Sequence, residues 1–291
     1  MQRFETPHPI SIDVDVAAGS VHVIAGDRSD TTVVVNPKDP SERADVEAVE
    51  RTTVGMAGRK LVVKTPKRGI GSFVGLTKPG SVDVTIELPE KSSLEVTTGM
   101  GDVNADGVFG DATVQSGAGA IHVDRATAVH LKSGAGSLSV NRCRGDAQAT
   151  TAGEMSIGHI GGKAEIKNLN GRTRIGEVGG GISVTSANGD IGIDRARSHV
   201  SARTANGNIV VGEVVSGEVS LESASGGLEV GIEPGAAAWL DVSTKFGRVH
   251  SSLEATGSPD EATGRVAVRA RTSFGDIQIH RSSINRNERE T

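Results

Sequence analysis

The chain has 291 residues, with 31 Lys and Arg against 36 Asp and Glu, a formal charge of −5 and no long run of one sign; the basic stripe of a nucleic-acid-binding protein is missing. Only 36% of the residues are hydrophobic, with five Phe, one Trp and no Tyr, while Gly numbers 39. Large side chains supply most of the surface buried in a thick core, so this composition excludes one and favours a thin core repeated many times.

Residues 1–90 read as β structure without a repeat. Residues 9–16 alternate apolar positions with Ser and Asp, residues 20–24 follow a turn at Gly19, and residues 31–36 are β-branched. Residues 45–54 and 60–65 suggest a hairpin across Gly55-Met56-Ala57-Gly58. Residues 82–88 turn Val82, Val84, Ile86 and Leu88 to one side and Asp83, Thr85 and Glu87 to the other. Together they predict an N-terminal β cap. Within it, residues 66–80 form a Gly-rich loop carrying Ile70, Phe73, Val74 and Leu76. A loop with four large apolar residues reads as a contact surface for a partner or as a flap over the core of the cap.

From about residue 91 to 280 a pattern recurs: small-x-x-Gly-x-aliphatic-x-aliphatic, with its Gly at 101, 119, 136, 153, 171, 189, 207, 226, 247 and 275. Copies include SGAGAIHV (116–123), SANGDIGI (186–193) and TSFGDIQI (272–279). Two residues after the Gly stand Val103, Ile121, Leu138, Met155, Thr173, Ile191, Ile209, Leu228, Val249 and Ile277. Four residues after it the column runs from Ala105 and Val123 to Val230, Ser251 and Ile279. Alternation of this kind marks a strand with one buried face. A second alternating run precedes each Gly (Leu94/Val96, Ile182/Val184, Val200/Ala202), so every repeat supplies two short strands around a Gly corner. A third column of small polar residues, Thr98, Ser116, Ser133, Thr151, Asn168, Ser186, Thr204, Ser223, Thr244 and Thr272, points inward at the corner, where it can bond its stacked copies and the turn backbone. Hairpins do not require one residue type at one phase in every copy, whereas stacking does. The expectation is an all-β, single-stranded β-helix (β-solenoid) of about ten coils over residues 91–280, on a cap of residues 1–90, with a polar, disordered tail at 281–291.

Chemistry is scarce. Gly69, Gly71 and Gly75 miss the dinucleotide fingerprint by one position, and Lys78 lacks the neighbours of a phosphate-binding loop. The eight His never pair at ligand spacing, so neither a metal nor a cofactor is expected. Cys143 sits in the apolar position of Ile160, Val178 and Val214 and reads as core. Being the only Cys, it excludes an intramolecular disulfide and suits a reducing compartment. Asp102, Asp190 and Asp276 follow the column Gly and point outward, but on coils too far apart to share a site. The first seven residues lack the apolar stretch of a signal peptide and no run approaches 18 apolar residues, so a cytoplasmic location without membrane insertion is expected.

The chain resembles a bacterial β-strand-repeat family of unknown function, labelled "putative adhesin" and also called Toastrack. The resemblance is carried by Ile12-Asp13-Val14-Asp15-Val16 with Gly19-Ser20-Val21-His22-Val23, by Val82 to Leu88 with Pro89, by the SGAGAIHV-type copies, and by Ala238-Trp239-Leu240-Asp241 before Phe274-Gly275-Asp276-Ile277. It implies no catalytic motif, and a scaffold or sensor role near membranes through envelope-stress or transporter neighbours. The reading is a non-catalytic, adhesin-like scaffold that engages a protein partner. The alternative is self-assembly into an oligomer or filament through an open solenoid edge, taken as the coil at 272–279. A third reading, a β-helical carbohydrate enzyme, requires Asp190 or Asp276 to be catalytic.

Overall fold

The computed structural model describes residues 1–65, 80–253 and 264–283. The chain is built from two compact units, residues 1–144 with 149–151, and residues 145–148 with 152 onward. Each is a stack of β-solenoid coils.

In the first unit, two walls of parallel strands meet at the Gly corners. One wall runs Lys60–Lys64, Ser11–Ala18, Ser93–Met100 and then the second half of Val103–Ala118. The other runs Val82–Pro89, Val21–Gly26, the first half of Val103–Ala118, Ile121–Ala135 and Leu138–Cys143. The coil formed by Ser11–Ala18 and Val21–Gly26 is therefore sandwiched between two coils that come later in sequence. Its inward residues Ile12, Val14, Val16, Val21 and Val23 are sealed. The coil architecture thus starts at Ser11, inside the region the sequence assigns to a cap. The excursion through residues 27–81 interrupts the 18-residue step and hides this coil from a search by spacing.

Capping is the work of antiparallel strands. Asp30–Pro37 lies on Val82–Pro89, Gln2–Glu5 lies on Asp30–Pro37, and Thr53–Ala57 forms a hairpin with Lys60–Lys64. A hairpin forms, but its first arm is Thr53–Ala57, so the expected turn residues Gly55-Met56-Ala57 lie in the strand and the turn falls at Gly58-Arg59, while residues 43–51 are helical. The helix Arg43–Arg51 has Asp45 in its first turn and Arg51 in its last, and Glu47 pairs with both Arg43 and Arg51. Charges at i,i+4 spacing and termini matched to the helix dipole outweigh the apparent alternation that suggested a strand.

In the second unit one wall runs Ala164–Asn170, Ile182–Asn188, Val200–Asn206, Gly217–Ser225, Arg265–Phe274 and Ala237–Phe246. The other runs Met155–Ile160, Thr173–Val178, Ile191–Ala196, Ile209–Val214, Leu228–Ile232, Ile277–Arg281 and Val249–Ser251. Pairing is parallel and in phase, Ile191 beside Ile209 and Ile193 beside Val211, which excludes local hairpins. All four side chains are at most 1% exposed, and each such burial stabilises the fold by about 1.5–3 kcal/mol. The stack order departs from chain order: the coil of Arg265–Phe274 and Ile277–Arg281 is inserted between Gly217–Ile232 and Ala237–Ser251. The coil at 272–279 is therefore an inner one, and among the described residues the outermost coil is 237–251. Identical corner chemistry at both coils leaves their order undetermined by the repeat itself.

The corners behave as columns. Gly189 and Gly207 have φ of +126° and +146°, and a Cβ on either would overlap the carbonyl oxygen of the corresponding Gly, 171 or 189, one coil earlier. Both the left-handed backbone and the close stacking demand glycine. The corner hydroxyls donate to the Gly carbonyl of the adjacent coil: Ser133 to Gly119 at 3.1 Å, Thr151 to Gly136 at 2.7 Å, Ser223 to Gly207 at 3.0 Å and Thr272 to Gly226 at 3.0 Å. Thr244 donates to Gly275 at 2.9 Å, following the stack order and not the chain order. These hydroxyls thus serve the turn backbone, whereas Thr98 Oγ1 and Ser186 Oγ in the same column are buried without a hydrogen-bond partner.

Candidate functional site

The outward carboxylates come first, because an enzyme would need them. Asp102 Oδ1 accepts the Ala120 N–H at 2.8 Å, Asp190 Oδ1 accepts the Asn208 N–H at 2.9 Å, and Asp276 Oδ1 accepts the Arg248 N–H at 2.8 Å. In each case the acceptor ties the turn of one coil to the turn of the next, satisfying a backbone donor that faces away from the ladder. Asp146, on a different turn, does the same for the Lys163 N–H at 2.8 Å. These aspartates are corner ties.

The amide side chains form a parallel ladder beside them. Asn188 donates to Asn170 at 3.0 Å and Asn206 donates to Asn188 at 2.9 Å. In the coils of Arg265–Arg281 and Ala237–Ser251 the same corner position holds Phe274 and Phe246, whose rings stack with centroids 5.0 Å apart and planes within 8°. Cys143 is buried, its Sγ 3.6 Å from the Thr127 carbonyl oxygen, in the core position expected from its spacing.

A column of charge runs along the far end of the second wall. His159 pairs in register with Glu177, Glu177 with Arg195, and Arg195 with Glu213. Arg195 Nε lies 2.7 Å from Glu213 Oε1, and the Ser282 hydroxyl donates to Glu213 Oε2 at 2.7 Å. Ser282 is therefore packed against the coil, two residues into the stretch expected to be a disordered tail. Arg197 holds one oxygen of Glu177 through two nitrogens at 2.7 Å, and His159 stands 3.6 Å away. Burial pushes the Glu177 carboxyl up, but Arg197, helped by His159 and Arg195, pulls it further down and leaves it below the ordinary carboxylate value. Sequence reasoning missed this column. Its signal was an alternation of Glu and Arg at one phase of successive repeats.

The first wall of the second unit carries a concave surface of about 610 Å³ beside Arg203, Glu222, Lys245 and Arg271, and another of about 600 Å³ over the strands that begin near Asp146, Lys163, Gly181, His199 and Glu218. The latter is lined by the inward Ala147, Ala164, Ile182 and Val200, by the exposed Ser183 and Ser201, and by Lys163, Glu165, His199 and Glu218. His199 Nδ1 accepts the Glu218 N–H at 3.1 Å, which fixes the ring across the groove. The side chains expected to touch a partner, Ile70, Phe73, Val74 and Leu76, lie outside the described residues. Among those described, no three His, Cys, Asp or Glu gather as ligands for a metal ion, and no helix is long and apolar enough to cross a membrane.

Solved structures similar to this chain include a "putative adhesin" from Bacteroides fragilis, 13% identical with a TM-score of 0.34, covering 96% of this chain and 95% of that one. Another "putative adhesin", from Parabacteroides distasonis, is 13% identical with a TM-score of 0.31 over 96% and 95% of the two chains. A "putative cell adhesion protein" from Clostridium sporogenes is 10% identical with a TM-score of 0.22 over 96% and 98%. Among curated proteins, none matches the sequence. The sequence matches the Toastrack DUF4097 family over residues 10–280, from the first coil strands to the last, and the chain belongs to that family.

Proposed function

We propose that this protein is a non-catalytic, adhesin-like scaffold that receives an extended segment of a protein partner in the groove of its second unit. The observation that carries the reading is the groove itself: a parallel-stranded surface of about 600 Å³ that sets Ala147, Ala164, Ile182 and Val200 beside charged residues of both signs. A solenoid wall holds such a surface at little entropic cost, since its backbone is ordered before the partner arrives. The non-catalytic half of the reading is supported by the aspartates, one oxygen of each of which accepts a backbone N–H of an adjacent coil. The apolar residues Ile70, Phe73, Val74 and Leu76 are assigned to the same partner as a second point of contact.

The test is a comparative capture from cell extract with the native chain and with Ser183→Trp and Ser201→Trp, which fill the groove from exposed positions. Loss of a captured protein in both variants, with unchanged circular dichroism, is the expected result. Identical capture by all three chains, or no capture by any, rejects the groove.

A further inference from the structure

The coil of Ala237–Phe246 and Val249–Ser251 differs from the inner coils of the second unit. Its inward residues Leu240 and Val242 are only half-buried and Val249 is 45% exposed, whereas Val268, Ala270 and Ile277 of the adjacent coil are at 0%. Trp239 and Phe246 on the same coil are 59% and 66% exposed. Among the described residues, Ala237–Phe246 pairs only with Arg265–Phe274. The Ala237 N–H donates to the Gly264 carbonyl, so the alternation of a parallel ladder turns the N–H and C=O groups of Leu240, Val242 and Thr244 to the opposite, open edge.

We propose that this coil is a dimerisation surface, with Ala237–Phe246 pairing antiparallel to the same strand of a second copy about a two-fold axis at Ser243. In that register Leu240 faces Phe246 and Asp241 faces Lys245, and the symmetry makes each pair twice. The strand is thus its own complement in apolar surface, and Asp241, held within its own chain by Arg269 and Arg271 at 3.3 and 3.4 Å, gains Lys245 of the second copy as a further partner. The outward-turned Val242 also meets the outward-turned Thr244, as a hydrogen-bonded antiparallel pair requires. Residues 254–263 and 284–291 together contain one large apolar residue, Ile284, too few to cover the open core. The first unit closes its own outer coil with antiparallel strands, so among the described residues no second bare coil invites head-to-tail growth. Association through one self-complementary face stops at two.

Sedimentation equilibrium of the full chain tests this. The expected species is a dimer of the 29.9 kDa chain. Lys245→Asp sets two carboxylates against each other and weakens the dimer at least tenfold. Val242→Pro removes an outward N–H without costing a bond to Arg265–Phe274, and dissociates the dimer while circular dichroism is unchanged. A monomer at every concentration, a filament, or a dimer indifferent to Lys245→Asp and Val242→Pro overturns the proposal. The outcome is independent of the groove, whose lining shares no residue with this coil.

Discussion

Asn168 and Thr173 each depart from their column, Asn where the corner carries Ser or Thr, and Thr where the strand carries an aliphatic residue. The structure shows the two departures to be one feature. Asn168 Nδ2 donates to Thr173 Oγ1 at 3.1 Å and to the Gly171 carbonyl at 3.1 Å, and Thr173 is fully buried. A hydroxyl in the core is tolerated because the larger corner side chain reaches it. A double-mutant cycle with Asn168→Ser and Thr173→Val is expected to give a coupling of about 1 kcal/mol in urea unfolding, the double variant recovering stability that Thr173→Val alone does not. Glu177 belongs to the same scale. Its folded carboxyl titrates below the ordinary 4.5, so its contribution is complete above that value and is lost as pH falls through the folded pKa. Unfolding free energy measured from pH 7 to pH 3 is expected to decline less steeply in Glu177→Gln than in the native chain.

At the scale of elements, strands here are specified by stacking more than by propensity. Strands with Ala, Gly, Ser and Asn at many positions have weak intrinsic preference for β structure, yet those of the inner coils are held on both sides by a phase-matched copy. The buried charge column shows what the repeated phase permits. Arg195 is 18% exposed and Glu213 6%, so deleting the cation leaves a carboxylate stranded in a low-dielectric setting. Arg195→Met is expected to cost about 3–5 kcal/mol in denaturant unfolding, and Arg195→Met with Glu213→Leu to recover most of it. The helix Arg43–Arg51 marks the opposite case. It lies in the excursion between coils, where no stacked copy imposes a period, and local charge spacing decides the outcome.

For the molecule as a whole, the two units share one device: each places a coil out of chain order, Ser11–Gly26 in the first and Arg265–Arg281 in the second. Protection against exchange follows the stack. In hydrogen–deuterium exchange, Ile277–Arg281 is expected to exchange more slowly than Val249–Ser251, because the former is paired on both edges and the latter, among the described residues, on one. Faster exchange at 277–281 contradicts the inverted order.

The solenoid itself was legible in the chain because period and phase are sequence properties: an inward aliphatic column at a constant step can be buried in one way only. The core position of Cys143, the inward corner hydroxyls and the dispersal of Asp190 and Asp276 followed from the same phase. Tertiary structure alone decided which coil lies beside which, what the outward aspartates bind, and that the outermost of the described coils carries Trp239 and Phe246. Every coil presents the same corner and the same aliphatic face to either neighbour, so the repeat specifies that coils stack. The order of stacking depends on where the chain is long enough to turn back, at residues 27–81 and 252–264, and no pattern in the sequence encodes that path.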